Sequence, residues 1–287
     1  MIKMKPNSKF RNKNKPFWAA VRTISQEVGY TIRGKKLIRV PTIEDIVDAF
    51  DKLSLDRKKI IDENGNSTQI TKELIEYFVY RAEILNDYVE PRLMDAKRAS
   101  ECFEEMFKKY SPSCPIPMNK QKGSKKAPAY FTSIINMIIE SKIGNLKCDY
   151  DPRELTTVTT DGFPLRTLAR RVDGAFPSAV NPLAVWEIKE YYYTTTFGSR
   201  VADGVYETLL DGMEIEELYE HENINVLHYL MIDAHYTWWD CGRSYLCRII
   251  DMLHMGYVDE VLFGYEVVER LPDIVNEWVA LLESSDT

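Results

Sequence analysis

The sequence predicts an α/β fold in which helices flank a mixed central β-sheet, preceded by a mainly helical N-terminal region. From residue 129 onwards, helical and strand-like apolar patterns alternate in the order α, β, β, α, β, α, β, α. Such alternation is typical of a sheet that is covered by helices on both sides. A near-continuous apolar run at residues 226–234 predicts a buried central strand.

Residues 1–110 are predicted to form the mainly helical N-terminal region. Apolar residues recur at helical spacing between residues 17 and 28, and a further helix follows Thr42, which is suited to cap it. The helical pattern from residue 71 to residue 110 is interrupted by Pro91. Proline has no N–H and clashes with the preceding turn, so we expect a kink or a split at this position.

Residues 111–128 form the clearest internal linker, because they are rich in proline and contain four lysines but no acidic residue. The lysines are Lys120, Lys122, Lys125 and Lys126. A basic loop in an acidic half of the chain is suited to contact phosphate groups, and a flexible surface loop is the alternative. The linker separates the N-terminal region from a predicted α/β domain at residues 129–287.

The α/β domain is predicted to begin with a helix that carries Glu140 near its C-terminal end. Two strand-like runs within residues 168–193 then predict a β-hairpin with a longer loop. The complete predicted order is a helix at 130–142, a loop at 149–160, the hairpin at 168–193, a helix at 198–210, a strand at 226–234, a helix at 244–255, a strand at 260–267 and a helix at 274–282.

The charge of the chain is unevenly distributed. The formal net charge is −7, which argues against a wholly basic nucleic-acid-binding protein. Residues 1–40 nevertheless carry eleven Lys and Arg residues, among them Lys3 and Arg33, against the single acid Glu27. This split predicts a basic module that contacts a polyanion beside an acidic body, and a solvated N-terminal segment is the alternative.

Several classes of protein do not fit the sequence. The five cysteines are scattered without a CxxC pair, which argues against a disulfide framework or a zinc knuckle and favours the reducing cytoplasm. The basic N-terminus lacks the apolar region of a secretory signal, and no apolar run reaches the length of a membrane span. A glycine-rich phosphate loop is also absent from the sequence, so ATP-driven activity is not expected.

Three charged residues, Asp173, Glu187 and Lys189, stand in the predicted hairpin where strands favour apolar residues. Side chains alternate along a strand, so Glu187 and Lys189 share one face, and Asp173 can join them from the partner strand. Buried charges are costly unless they are paired or bind a metal. The trio therefore predicts a divalent-metal site for phosphodiester hydrolysis. The alternative is an ordinary edge strand on which Glu187, Lys189 and Glu190 face water.

The order of these features resembles the PD-(D/E)xK nuclease superfamily, the fold of many type II restriction endonucleases. The resemblance spans about residues 129–270 and begins with a helix that carries Glu140. Val172-Asp173-Gly174 follows, and then Glu187-Ile188-Lys189, with thirteen residues between Asp173 and Glu187; a helix and an apolar strand come next. Val172 stands where the name of the motif has proline, which is a common variation in that superfamily.

The resemblance implies a restriction-endonuclease-like core with a defined set of roles. Asp173 and Glu187 would bind Mg²⁺, or Mn²⁺ as a substitute, and the main-chain carbonyl of Ile188 would be a further ligand. Lys189 would orient the attacking water. Glu140 matches the position of an auxiliary acid that some members place on the first core helix.

The function implied is a Mg²⁺-dependent endonuclease that cleaves duplex DNA, a restriction-type defence enzyme of the cytoplasm. Such an enzyme is expected to be a homodimer and to have a cognate DNA methyltransferase as a partner in the same system. Because the metal site contacts only a phosphodiester, an RNA, single-strand or structure-specific nuclease is an alternative. A non-catalytic DNA-binding or scaffold protein with the same fold is another.

Other polar and aromatic residues have two interpretations each. The cluster Tyr191–Tyr193 and the pair Trp238 and Trp239 could stack on bases, or belong to the core or to a dimer interface. Asp233 and His235, at the end of the predicted central strand, could lie near the site. Arg170 could contact a phosphate or a surface acid.

Overall fold

The computed structural model describes residues 4–32, 34–193 and 198–285. Across these residues the chain has a mixed α/β fold, as predicted, with nine α-helices and two β-sheets. The helices are α1 (Ser8–Arg11), α2 (Lys15–Val28), α3 (Ile43–Lys52), α4 (Gln69–Glu83), α5 (Ala96–Tyr110), α6 (Tyr130–Ile143), α7 (Ser199–Glu222), α8 (Arg243–Met255) and α9 (Glu266–Ser285). The strands are β1 (Thr157–Thr160), β2 (Phe163–Thr167), β3 (Gly174–Phe176), β4 (Ala184–Glu190), β5 (Leu227–Asp233) and β6 (Glu260–Phe263).

The larger sheet is mixed and has the strand order β3-β4-β5-β6. Strand β3 pairs antiparallel with β4, as the hairpin prediction requires, whereas β4, β5 and β6 are parallel. Helices α7 and α8 connect the parallel strands in sequence. Strands buried on both faces read as continuous apolar runs, which explains why β5 was recognisable in the sequence.

Helices cover both faces of this sheet. On one face, Trp186, Met231 and Leu262 belong to the same apolar cluster as residues of α6 and α9. On the opposite face, Val185 packs with Leu218 of α7, and β5 and β6 pack against α8. Since alternate residues of β4 point to opposite faces, Glu187 and Lys189 share the face of Val185, under α7.

The smaller sheet corrects the prediction of a loop at residues 149–160. Strands β1 and β2 form a two-stranded antiparallel sheet joined by Asp161 and Gly162, which have φ values of 51° and 77°. Positive φ at both central residues is characteristic of a type I′ turn, and Asp-Gly is a strong sequence signal for it. Strand β3 is correspondingly shorter than the first strand of the predicted hairpin.

Three further boundaries differ from the prediction. Helix α7 continues to Glu222 instead of ending at residue 210. Strand β6 ends at Phe263, and α9 begins at Glu266, eight residues earlier than predicted. The Glu266 carboxylate accepts the N–H of Phe263 at 3.1 Å and thereby fixes the chain reversal between strand and helix.

The N-terminal region packs around a second apolar core that includes Phe17, Trp18, Tyr77 and Phe78. The predicted interruption at Pro91 is confirmed: α4 is followed by a π-helical turn at Ile84–Val89 and a 3₁₀ turn at Glu90–Arg92 before α5 begins. Among the described residues, no helix has the length and apolar composition needed to cross a bilayer.

Many cations of the N-terminal region are paired with acids of the chain. Lys9 pairs with Glu76, and Lys13 Nζ lies 2.6 Å from Glu73 Oε2. Further ion pairs of this kind include Lys5 with Glu260 and Glu277, Lys36 with Asp240, Arg39 with Asp45 and Lys52 with Glu27. Lys3 and Arg33, which contribute to the predicted basic module, lie outside the described residues. The paired cations are less available to a polyanion than the sequence count suggests.

Candidate active site

Asp173, Glu187 and Lys189 lie side by side where β3 begins and β4 ends. The Lys189 Nζ atom is 2.6 Å from Glu187 Oε2 and 4.0 Å from Asp173 Oδ2. Glu187 is fully buried and Lys189 is 7% exposed, so the alternative in which both face water is wrong. The Asp173 side chain is 44% exposed and forms the open side of the group.

Gly174 is required where Asp173 enters the sheet. It pairs with Trp186, and a Cβ atom at this position would lie 2.1 Å from the Trp186 indole. The N–H of Asp173 donates to the Trp186 carbonyl at 3.1 Å, so the strand pairing continues one residue beyond Gly174. Gly174 therefore leaves room for the buried Trp186 indole, and the hydrogen bond of its neighbour holds Asp173 beside β4.

The main chain of Ile188 faces Asp173. Its N–H donates to Asp173 Oδ2 at 2.8 Å. In a β-strand the N–H and C=O of one residue point to the same side, so the Ile188 carbonyl also points towards Asp173. Strand β3 begins at Gly174, opposite Trp186, and has no residue that pairs with Ile188. The carbonyl oxygen thus lies beyond the part of β4 that pairs with β3, on the side of Asp173.

The charged group around Asp173, Glu187 and Lys189 also contains Arg170, Glu207 and Asp211. These three were not predicted from the sequence as site residues. The Arg170 Nη1 atom is 2.8 Å from Glu187 Oε1 and 2.5 Å from Asp211 Oδ2. Arg170 Nη2 is 3.4 Å from Glu207 Oε2, and Lys189 Nζ is 3.5 Å from the same oxygen. Glu207 and Asp211 are four residues apart on α7, a spacing that places both on one face of the helix. That spacing is the sequence signal that could have identified them.

The charges in the group shift one another's pKa values. Burial would raise the pKa of Glu187, but Lys189 and Arg170 lower it. Burial would likewise lower the pKa of Lys189, but Glu187 and Asp173 raise it, so the amine stays protonated. Burial and the Glu187 charge raise the pKa of Asp173 to about 6 and that of Asp211 to about 7. Four carboxylates thus share two cations, and the group has an excess of acid.

The donor atoms match the ligands that Mg²⁺ uses, although no protein cage surrounds them. Among the described residues, no three Asp, Glu, His or Cys side chains are arranged to hold a metal ion together. Mg²⁺ often binds proteins through one or two carboxylates and keeps several waters. Asp173, Glu187 and the Ile188 carbonyl provide this kind of oxygen set. Each Glu187 oxygen, however, faces a cation, Lys189 on one side and Arg170 on the other.

Glu140 does not join this group. Its carboxylate accepts the N–H and the hydroxyl of Ser113, in the segment after α5, and forms no hydrogen bond or ion pair with Asp173, Glu187 or Lys189 in the part of the chain that is described. The acid that connects α6 to the site strand is instead Glu190. It accepts the N–H and the hydroxyl of Thr132, both at 3.0 Å, and so caps the N-terminus of α6. Burial raises the pKa of Glu190 to about 7.

Asp233 lies beside Glu190 in the register of β4 and β5. It is fully buried, accepts the N–H groups of Met94 and Ala234, and accepts the hydroxyl of Tyr192. Burial raises its pKa to about 8. Asp233 therefore ties the C-terminal end of β5 to the start of α5, and its side-chain hydrogen bonds to described residues go to Met94, Ala234 and Tyr192.

The two tryptophans are core residues. Trp238 and Trp239 are 0% and 4% exposed in a π-helical turn at Tyr236–Cys241. The Trp238 indole donates to the Lys189 carbonyl at 3.4 Å. The interpretation that they stack on bases is therefore wrong for both. Trp238 instead packs in the core against β4 and holds the Lys189 main chain through this hydrogen bond.

The basic loop leads directly into α6. Lys120, Lys122 and Lys126 are exposed, and the Lys125 side chain lies outside the described residues. An isolated bridge between Met118 and Pro128 closes the loop at its base. The loop thus leads to the N-terminus of α6. Glu190 caps that terminus, and Glu190 directly follows Lys189 in β4.

Two family models match the chain. One, described as Domain of unknown function (DUF7690), matches residues 4–88, and another, described as Domain of unknown function (DUF7687), matches residues 94–278. The two matches meet around Pro91, and the second contains every residue of the charged group. No curated protein and no solved structure matches the chain significantly. Since the second match covers more than half of its length, the chain belongs to the family described as Domain of unknown function (DUF7687).

Proposed function

We propose that the chain is a Mg²⁺-dependent nuclease with a restriction-endonuclease-like core. The observation that carries the proposal is the placement of Lys189 Nζ against Glu187 at 2.6 Å and Asp173 at 4.0 Å, at the meeting point of two paired strands. Strand β3 pairs antiparallel with β4, and α7 and the parallel strand β5 follow; this order supports the restriction-endonuclease-like core that we propose.

Each residue of the trio has a role in phosphodiester hydrolysis. When bound, Mg²⁺ neutralises charge on the phosphate and promotes ionisation of water. Asp173 and Glu187 supply carboxylate oxygens for it, and the Ile188 carbonyl adds a neutral one. Because neighbouring acids raise its pKa, Lys189 acts as a hydrogen-bond donor and a fixed positive charge rather than as a base. It orients the attacking water and stabilises the negative charge that develops on the phosphate oxygens.

Duplex DNA is the substrate that we propose, with the exposed lysines of the 111–128 loop as backbone contacts. Cutting both strands favours a homodimer, whose twofold symmetry matches a palindromic site. A defence role in the cytoplasm, with a partner DNA methyltransferase, completes the proposal. The contacts of Glu187 with Arg170 and Lys189 favour one competing function, a non-catalytic binding protein in which the acids only pair with cations.

Cleavage by the purified full chain tests the proposal. Plasmid DNA, single-stranded DNA and RNA are each incubated with Mg²⁺, with Mn²⁺ and with EDTA, using wild type and Lys189→Met. We expect wild type to cleave duplex DNA only with metal. Lys189→Met should be slower by about 10²–10⁴-fold, the usual effect of losing a charge that stabilises the transition state. Arg170 still pairs with Glu187 in this variant, so we expect it to fold.

Lys97→Met is the matched control. Lys97 belongs to Asp95-Ala96-Lys97, a sequence of the same form as the site motif, but its side chain is 85% exposed on α5. It should cleave like wild type. Undiminished cleavage by Lys189→Met, or no cleavage of any substrate by wild type, would overturn the nuclease assignment. Cleavage of RNA or single-stranded DNA alone would instead identify the alternative substrate class.

A further inference from the structure

The Lys189 side chain passes a glycine of α7 on its way to the acids of the charged group. Gly204 is buried on this helix, and a Cβ atom at its position would lie 3.1 Å from Lys189 Cδ and 3.3 Å from Lys189 Cε. Favourable contacts between carbon atoms are about 3.5–4.0 Å long. The glycine therefore leaves room for the lysine stem that any other residue would take up.

The Tyr191 hydroxyl borders the same space from the strand. Its oxygen would lie 3.2 Å from a Cβ atom at Gly204. The Tyr191 N–H still pairs with β5 at 3.3 Å, so Glu187, Lys189 and Tyr191 follow one another along one face of the strand. The Tyr191 ring packs on Trp238, with ring centroids 5.8 Å apart. The lysine stem and the tyrosine hydroxyl thus lie together over Gly204.

The end of this stem carries the positive charge of the proposed site. Lys189 Nζ is 2.6 Å from Glu187 Oε2 and 3.5 Å from Glu207 Oε2, and it is 4.0 Å from Asp173 Oδ2. A lysine stem is flexible, so three acids at such distances do not by themselves fix the direction of the ammonium. Contacts at Cδ and Cε, the last two carbons before the amine, restrict that direction.

Helix propensity does not account for a glycine at this position. Glycine is among the least favourable residues in a helix interior, and alanine is the most favourable. The second glycine of α7, Gly212, faces the main chain, since a Cβ atom there would lie 2.2 Å from the Tyr257 carbonyl oxygen. The three atoms nearest to Gly204 all belong to side chains, which can shift slightly. An alanine at Gly204 should therefore be compatible with the fold, and its main effect should be on Lys189.

We propose that Gly204 and Tyr191 are positioning residues that direct the Lys189 ammonium towards Glu187 and Asp173. This deepens the proposed function and rests on it, because Lys189 is the residue that orients the attacking water there. A misplacement of about 1 Å can reduce the rate of a reaction by about 100-fold. A shift of a few tenths of an ångström, which an added methyl group would impose, should then cost about tenfold.

Gly204→Ala in the full chain separates this role from a structural one. We expect it to keep or raise the urea midpoint of unfolding, because alanine favours the helix. We expect its kcat for DNA cleavage to fall about tenfold, with KM within about twofold of wild type. Met213→Ala is the matched control, because Met213 is 50% exposed on the same helix, and it should cleave like wild type. Wild-type cleavage by Gly204→Ala would overturn the role of Gly204.

Tyr191→Phe removes the hydroxyl and keeps the ring, and it decides the matter if Gly204→Ala does not fold. The lysine stem gains room in this variant, and we expect kcat to fall about fivefold, the usual effect of one lost polar contact. Tyr192→Phe is the control, because the Tyr192 hydroxyl donates to Asp233 instead. It should lower stability and leave kcat unchanged. Equal kcat values for Tyr191→Phe and wild type would overturn the role of Tyr191.

The Lys189 ammonium also reports its position without any cleavage. In nuclear magnetic resonance spectra of the ¹⁵N-labelled lysine side chains, its signal is the one that Lys189→Met removes. We expect its protons to exchange with water at least about tenfold faster in Gly204→Ala and in Tyr191→Phe than in wild type, because the hydrogen bond to Glu187 is weakened. Unchanged exchange in the folded variants would overturn the proposal.

Failure of the proposed function looks different. Faster exchange in the variants of a chain that cleaves no substrate leaves the positioning of Lys189 intact and removes the nuclease. Cleavage by wild type, with the same kcat and the same exchange in both variants, does the reverse.

Discussion

Two buried groups of charges in this chain differ in their balance. Around Arg170 and Lys189, two cations face four carboxylates, and Asp173 opens to solvent. The other group centres on Arg81, whose Nη1 atom is 2.9 Å from Asp251 Oδ1 and 3.0 Å from Asp251 Oδ2. Tyr77 donates to the same carboxylate at 2.6 Å, and Arg81 also donates to Ser25. This second group is balanced and closed.

The difference separates a structural role from a candidate functional one. Arg81 and Asp251 are on α4 and α8, in the two ranges that the two family models match, so their ion pair joins these parts of the chain. Its one cation and one carboxylate neutralise each other. The group at Glu187 has more acid than cation, and an excess of negative charge beside an opening is suited to bind a metal ion.

The largest effect on stability is expected for Asp251→Ala. This change leaves the Arg81 charge buried at 1% exposure without its carboxylate, which typically costs about 3–5 kcal/mol. Urea unfolding measures the loss, and the folded fraction should still bind Mn²⁺ as wild type does. The double variant Arg81→Met/Asp251→Leu is the control, because removing both charges costs less than removing one. A loss below about 1 kcal/mol for Asp251→Ala would contradict a structural role for the pair.

A smaller effect, confined to part of the pH range, is expected at Asp233, a buried acid without a cation. Tyr192 and Glu190 are the titratable groups that face it, and burial raises its pKa from 3.8 to about 8. Between these values the folded state binds a proton that the unfolded state has lost. The stability that Asp233 contributes is therefore present below about pH 4 and falls as the pH rises towards 8.

Asp233→Asn removes this dependence and keeps an oxygen that can accept the N–H groups of Met94 and Ala234. We expect the two proteins to be similarly stable at pH 5. At pH 8.5 we expect the variant to be more stable by on the order of 3 kcal/mol. Other buried acids titrate equally in both proteins, so the difference between their unfolding curves isolates Asp233. Parallel pH profiles would show that Asp233 is ionised throughout.

The sequence predicted the parts of the molecule that depend on local pattern. Alternation along β4 placed Glu187 and Lys189 on one face, and the apolar run identified β5. The β1–β2 hairpin also has a local signal in the sequence, because Asp161-Gly162 strongly favours a two-residue hairpin turn. The partners of Arg170 were not predictable from local pattern, because Asp211 is forty-one residues away and reaches Arg170 only when α7 folds across β4.

Glu140 and Glu190 show the same limit for single residues. Helical spacing places Glu140 on α6 but does not determine which neighbour its carboxylate meets, and tertiary packing directs it to Ser113. Glu190 was expected to face water if β4 were an edge strand. It instead caps α6, because Ala129 at the N-terminus of this helix provides no side-chain cap.

The smallest effect is expected for Glu140→Gln, and it sharpens the contrast between acids inside and outside the charged group. Because Glu140 is held by Ser113, the amide should preserve the main-chain contact and leave cleavage and Mn²⁺ affinity within about twofold of wild type. Asp173→Asn, which also replaces a partly exposed acid by its amide, should instead lose at least about 100-fold in cleavage while it stays folded. Cleavage rates and Mn²⁺ affinities are measured in parallel for the two variants to test this contrast. A large loss in Glu140→Gln would mean that α6 moves when metal or substrate binds and brings Glu140 to the site.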